Sequence, residues 1–275
     1  MVKVFLVMDI EGVAGVAHGS EGSPGNPEYE RARRLMTAEA SAIVAGIHAA
    51  DPDATVTVVD SHGPYRNIIP EELDERAILG RGKPRHFGMM DGIDGSYDVA
   101  MFAGVHGKAG TGDSVLSHTF TGHLWDISIN GVSYGELGLN AAMAGAYSVP
   151  VVLVSGDQSV VAEGREVLGD NVEFVQVKES RSQASVIGPH PRVACRMLTE
   201  AAERVIRSRP AVEPLRLEEP LRVEVTFDRP VYADLAGMLD NVERSGGRTI
   251  AFTRDTYPDV YRLLRLITVL CSTPV

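Results

Sequence analysis

Residues 2–12 read Val-Lys-Val-Phe-Leu-Val-Met-Asp-Ile-Glu-Gly, and this stretch decides the fold. An apolar, β-branched run over 2–8 that halts at an acid is a buried strand, and the glycines at 12, 15, 19, 22 and 25 make the next segment turn-forming. Residues 55–59 repeat the pattern and stop at Asp60-Ser61-His62-Gly63. Residues 99–104 repeat it again and end at Val105-His106-Gly107.

Between and after these strands the apolar period changes. Residues 27–49 carry helical spacing, with Arg31, Arg33 and Arg34 on the polar side. A glycine-rich loop over 107–112 leads to Leu116-Ser117-His118, and Asn130-Gly131 marks a hairpin over 125–134. Gly135-Glu136 opens a helix to about residue 147. Beyond it lie a strand over 151–155, a helix over 158–168, a strand over 172–177 and a helix to Ser208. This alternation predicts an α/β fold with a mostly parallel sheet flanked by helices. Pro210 and Pro214 mark a linker, and the remainder reads β-α-β-α over 221–227, 232–239, 249–253 and 257–270. The expected organisation is an α/β domain over 1–210 that carries the chemistry and a small C-terminal subdomain over 220–275.

The totals exclude several functions. Lys and Arg number 26 against 37 Asp and Glu, a formal charge of -11, and no basic run is present to displace counterions from nucleic-acid phosphates. No apolar run approaches the roughly 20 residues of a membrane span, and the first strand is too short and wrongly flanked for a signal peptide. The two cysteines, Cys195 and Cys271, form no metal-binding or disulfide spacing and read as reduced thiols. A cytoplasmic protein acting on a small molecule, or associating with itself, is the expectation.

Three predicted strands end in acids or imidazoles: Asp9 and Glu11, then Asp60 and His62, then His106. Ligands in parallel α/β sheets bind outside the carboxyl ends of strands. Residues two apart on a strand share a face, roughly 6–7 Å apart. Carboxylates and imidazoles converging on one rim are donors for Zn²⁺ or Mn²⁺, and Glu136 at a helix start offers another. Each residue also has a plainer reading. Asp60 can be a cap, Glu136 a first-turn acid favoured by the helix dipole, and His62 a hydrogen-bonded surface residue. His18, His48, His86, His123 and His190 read as ordinary histidines.

The ordered set is more specific than its parts. Asp9-Ile10-Glu11-Gly12, Asp60-Ser61-His62, Gly104-Val105-His106, Leu116-Ser117-His118 and Gly135-Glu136-Leu137-Gly138-Leu139-Asn140-Ala141 together resemble the DppA-type D-aminopeptidases, the M55 metallopeptidases. Tyr29-Glu30-Arg31 and Leu35-Met36-Thr37 resemble that family's first helix. The resemblance implies two zinc ions per subunit, with Mn²⁺ or Co²⁺ as alternatives, held by Asp9, Glu11, His62, His106 and Glu136. In the family the residue matching Asp9 bridges the metals. His118 is implied to lie near them as a catalytic group rather than a ligand. It also implies a self-compartmentalising homo-oligomer, a decamer, that releases N-terminal D-amino acids from short peptides. The loop between His106 and His118 departs from the family by one extra residue and by Gly112-Asp113, which bears on substrate contacts and chirality.

The expected chemistry is attack by a metal-activated water on a peptide carbonyl, with His118 moving a proton. Two rivals fit the same residues. One is a phosphohydrolase with Asp9 as nucleophile, or another amidohydrolase; the other is a protein that binds metal without catalysis.

Overall fold

The structure is a computed structural model, and it describes residues 1–272. In chain order the elements are β1 (Lys3–Met8), α1 (Tyr29–Ala50), β2 (Thr55–Asp60), β3 (Ala77–Gly80), β4 (Val99–Val105), β5 (Leu124–Ile129) and β6 (Val132–Ser133). Next come α2 (Glu136–Ala146), β7 (Val151–Gly156), α3 (Gln158–Leu168), β8 (Glu173–Gln176), β9 (Glu179–Ser182), β10 (Ser185–Ile187) and α4 (Pro191–Ser208). The chain closes with β11 (Leu221–Phe227), α5 (Pro230–Ala236), β12 (Glu243–Arg244), β13 (Thr249–Arg254) and α6 (Tyr257–Cys271).

The main sheet has six strands in the order β3-β2-β1-β4-β7-β8, every pair parallel. It is therefore an α/β fold built on a parallel sheet, as the alternation of elements predicts. β1 is central, and its side chains alternate between two cores as a strand's period of two requires. Val4, Leu6 and Met8 pack with Ile43 and Ile47 of α1 and Leu198 of α4. Phe5 and Val7 face the opposite way, into a cluster shared with Leu137 and Leu139 of α2. Past the exposed Lys3, β1 is buried on both faces and holds no polar residue until it ends, so chemistry starts at residue 9.

The chain leaves β1 toward β2 and β3 on one side and later fills β4, β7 and β8 on the other. The direction of winding reverses between β1 and β4, and the crevice outside the carboxyl ends of those two strands is where ligands bind in such sheets.

A second sheet of five strands, β12-β13-β11-β5-β6, covers the α2 side. The hairpin expected over 125–134 is present as β5 and β6, and β5 pairs antiparallel with β11. Two strands of this sheet thus come from before residue 210 and three from after 220. Val223 and Val225 of β11 and Tyr261 and Leu264 of α6 join Phe5 and Phe102 in one apolar cluster. The β-α-β-α order read for the C-terminal residues matches β11, α5, β13 and α6, with β12 as an added edge strand. The sequence reading missed β3 and the β9-β10 hairpin. Both are short, and β9-β10 is mostly polar and exposed, so neither carries an apolar period.

Candidate metal centre

Asp9 and Glu11 leave the end of β1 in a loop that turns sharply onto β4. The turn depends on two glycines that interlock. A Cβ on Gly12 would lie 2.0 Å from the Val105 carbonyl oxygen, and one on Gly104, whose φ is +67°, would lie 2.3 Å from the Asp9 carbonyl oxygen. Backbone thus meets backbone, with the Gly12 N–H donating to Gly104 O at 2.7 Å. This contact brings the acids of β1 against His106, the first residue after β4.

Three histidines surround these acids, and a backbone carbonyl sets the tautomer of each. A carbonyl only accepts, so the ring nitrogen facing it carries the proton and the other nitrogen keeps its lone pair. His62 donates from Nε2 to Gly22 O at 2.8 Å, leaving Nδ1 at 3.0 Å from Glu11 Oε2 and 3.4 Å from Asp9 Oδ1. His106 donates from Nδ1 to Gly107 O at 3.0 Å, leaving Nε2 at 3.3 Å from Glu136 Oε1 and 3.6 Å from Asp9 Oδ2. His118 donates from Nδ1 to Leu116 O at 2.8 Å, leaving Nε2 at 3.6 Å from Glu136 Oε1. Each imidazole lone pair faces carboxylate oxygen.

Two groups of donor atoms result: Asp9, Glu11 and His62, and His106, His118 and Glu136, with the atoms of each group all within 4.8 Å of one another. Asp9 spans them, one oxygen toward His62 and the other toward His106. Asp9, Glu11, His106 and Glu136 are buried. His106 Nε2 is buried with no hydrogen-bond partner among the described residues. A lone pair aimed at carboxylates, on an imidazole whose far side donates to a carbonyl, is the arrangement of a metal-ligating histidine. The oxygen and nitrogen donors fit zinc.

The electrostatics agree. Burial opposes charge on every member, so each group depends on its neighbours. Burial and the Glu11 charge raise the Asp9 carboxyl to about 7. Burial works against the His106 cation, yet Glu136 and the other acids lift the imidazole to about 10. His62, desolvated but beside Glu11 and Asp9, is likewise held well above its ordinary value, and Glu11 opposite it well below. His118 goes the other way: burial and the His106 charge lower it. Its ring stacks on His106 with centroids 4.0 Å apart. The site pulls positive charge into its centre and leaves His118 neutral at the edge.

Asp60, an open candidate in the sequence, is structural. Its carboxylate accepts from the Asn67 and Ile68 N–H groups and from Asn67 Nδ2, which fixes the loop after His62. Among the remaining histidines, His18 and His190 cap helices, His48 faces Pro52 O and His123 faces Asp228.

Sequence reasoning missed the groups that hold the loops. Lys178, after β8, is fully buried, and its ammonium donates to the carbonyls of Glu11, Val13 and Val16 at 2.5, 2.9 and 2.7 Å. Glu39 of α1 accepts the Ala14 N–H at 2.8 Å from the other side. Asp157 caps α3 with one oxygen and with the other takes the Val115 N–H, pinning the loop that carries His118. A lone lysine after a strand carries no periodic or spacing signal. The one sequence signal for Asp157 is its place just before a helix, where an acid caps the first turn.

Known proteins share this arrangement of chain. The D-aminopeptidase family model, Peptidase M55, matches residues 2–266. A D-aminopeptidase of Bacillus subtilis (strain 168) is 32% identical over 270 residues, covering 98% of this chain and 97% of the relative. The solved structure of the Zn-dependent D-aminopeptidase DppA from Bacillus subtilis, a self-compartmentalizing protease, superimposes with a TM-score of 0.95 at 30% identity, over 100% of both chains.

The geometry generates one stability test. Lys178→Met keeps the volume of the side chain and strands three buried carbonyls. Each unsatisfied group costs about 1–3 kcal/mol, so urea unfolding should register a loss of several kcal/mol. Zinc affinity measured by competition with a chromogenic chelator should fall with it, because the Glu11 loop is released. Unchanged stability and affinity would show that the loop holds itself.

Proposed function

The chain belongs to the D-aminopeptidase family, Peptidase M55, and from that premise we propose that it is a zinc-dependent aminopeptidase releasing N-terminal D-amino acids from short peptides. The observation that carries this reading is the set of three imidazoles whose tautomers are fixed by carbonyls and whose lone pairs all face carboxylates. Two zinc ions per subunit would be held by Asp9, Glu11, His62, His106 and Glu136, with Asp9 shared between them.

Zinc held by such donors supplies Lewis acidity: it polarises a carbonyl and acidifies water at neutral pH. The protein's own groups do the rest. Gly22 and Gly107 carbonyls lock His62 and His106 so that neither ring turns away. Glu136 is held by the Phe120 N–H at 2.7 Å, which fixes the carboxylate that both His106 and His118 face. His118 lines the cavity with Nε2 unprotonated, and its lowered pKa keeps it so near neutral pH. It is placed to take a proton at Nε2 and deliver it to the departing amine. We assign it that role rather than a permanent ligand's.

Assembly belongs to the same reading. The solved relative is a self-compartmentalizing protease, and this chain exposes Trp125 and Val132 on the β5-β6 hairpin and Leu266 and Val269 on α6. Apolar residues so exposed support self-association, and we take the assembly to be a closed homo-oligomer, a decamer, that admits short peptides from solvent. Among the described residues no helix is long and apolar enough to cross a membrane. We place the activity in the cytoplasm, where the unpaired Cys195 and Cys271 stay reduced.

Two measurements test the proposal. Chelation should abolish hydrolysis of a D-dipeptide panel, and Zn²⁺ should restore it. His106→Ala should then lose zinc and regain part of its activity in excess Zn²⁺, whereas His118→Ala should keep its zinc and lose about 10²–10⁴-fold in kcat. Parallel loss of zinc and activity in His118→Ala would make it a ligand. Turnover of a chromogenic phosphate ester with no peptide cleavage would overturn the peptidase reading. Light scattering at micromolar concentration should give a large closed assembly; a monomer would contradict compartmentalisation.

A further inference from the structure

The cavity above the candidate metal centre has a second chemistry in its walls. It measures about 290 Å³ and is lined by Asp9, His62, His118 and Glu136, and also by Lys83 and Arg265. The protein carries a formal charge of -11, and its arginines are commonly found against acids, as Arg76 is with Asp74 and Arg207 with Glu203. The cations of this cavity are different. Arg265 Nε is buried with no hydrogen-bond partner among the described residues. Burial, then the charges of Arg265 and Arg85, push the Lys83 ammonium below its ordinary value, and among the described residues no acid enters that balance. Lys83 is exposed and Arg265 half-buried, and among the described residues neither is ion-paired to an acid, so a carboxylate entering the cavity would meet both.

The wall is built to keep them there. The Arg265 side chain lies against the bare backbone of Gly88, where an added Cβ would sit 2.4 Å from Nε and 2.9 Å from Cζ. Gly88 has φ +49°, which also favours glycine. The guanidinium stands 5.9 Å over the Phe120 ring, and Lys83 Nζ stands 4.7 Å over the Tyr65 ring. Aromatic faces hold a cation without neutralising it. Phe120 ties this wall to the metal centre, since its N–H is the one bonded to Glu136. Phe120 and Tyr65 are non-glycine residues held at φ +58° and +56°, so the backbone here accepts strain to present those rings.

We infer that Lys83 and Arg265 form a carboxylate-binding subsite that takes the free C-terminus of the peptide whose N-terminal bond is cleaved at the metal centre. The inference rests on the peptidase reading and deepens it. A cavity with donors for the scissile carbonyl and an anion site within about 290 Å³ selects peptides of two or three residues by length, because a longer chain places its carboxylate beyond the cations. Guanidinium is suited to the task, as its fork matches the two carboxylate oxygens.

The test compares the dipeptide D-Ala-Gly with its C-terminal amide, which is neutral at that end. Binding to the metal-free protein is read by calorimetry, and turnover is read on the zinc-reconstituted protein. Hydrogen bonds to charged groups contribute about 1.5–3 kcal/mol, so the acid should bind and turn over about 10–100-fold better than the amide. In Arg265→Met that ratio should fall to near one. Gly88→Ala keeps the guanidinium but displaces it, and should lower the ratio in the same direction, with a lowered unfolding midpoint from the positive φ. Equal handling of acid and amide by the unmodified protein would overturn the subsite, as would a ratio preserved in Arg265→Met. A binding preference for the acid with no turnover of either compound would support the subsite and overturn the peptidase reading instead.

Discussion

Everything near the carboxyl end of β1 is arranged around one electrostatic demand: imidazole lone pairs and carboxylate oxygens are brought together at 3.0–3.6 Å in a buried place. Such a pairing is repulsive unless a positive charge lies between the partners. Protons can supply it, which is why His62 and His106 are raised. A divalent cation supplies it better, since one ion serves several donors at once. The carbonyls behind the rings matter as much as the acids before them. By taking the far N–H they stop each imidazole from relieving the conflict by turning over.

The fold keeps those donors in place at a point where the sheet itself offers no more structure. β1 ends, the winding direction reverses toward β4, and the backbone must support five side chains from four separate stretches of chain. Gly12 and Gly104 allow the two strand ends to touch. Lys178 then gathers three carbonyls of the β1 loop, and Asp157 anchors the His118 loop from the next crossover. The buried lysine and the buried aspartate here make hydrogen bonds to loop backbone. They replace the hydrogen bonds that a strand or helix would have given those loops.

The sequence was legible where periodicity or local order decides the outcome. The largely apolar, β-branched runs at 2–8, 55–59 and 99–104 read as buried strands, and each is followed within two residues by an acid or an imidazole. Asp9, Glu11, His62 and His106 stand out in the sequence because they come just after such runs, and Glu136 because it opens a helix. Their convergence was not, since it depends on strand neighbours set by topology. Asp60 illustrates the limit: it ends β2 as Asp9 succeeds β1, yet its carboxylate turns to the Asn67 loop. The joining of β5 to β11 was equally hidden, because a hairpin signal says nothing about which sheet it extends. Lys83 and Arg265 lie far apart in the chain and in no motif. Only the folded cavity reveals that they share a wall and that, among the described residues, neither is ion-paired to an acid.

The central claim is that the facing lone pairs and carboxylates define two adjoining cation sites shared through Asp9. Anomalous diffraction at the zinc edge, from crystals of zinc-reconstituted protein, addresses it without reference to activity. The account predicts two peaks per chain, one among Asp9, Glu11 and His62 and one among Asp9, His106 and Glu136, with an Asp9 oxygen directed at each. A single peak, or peaks away from Asp9, would contradict it.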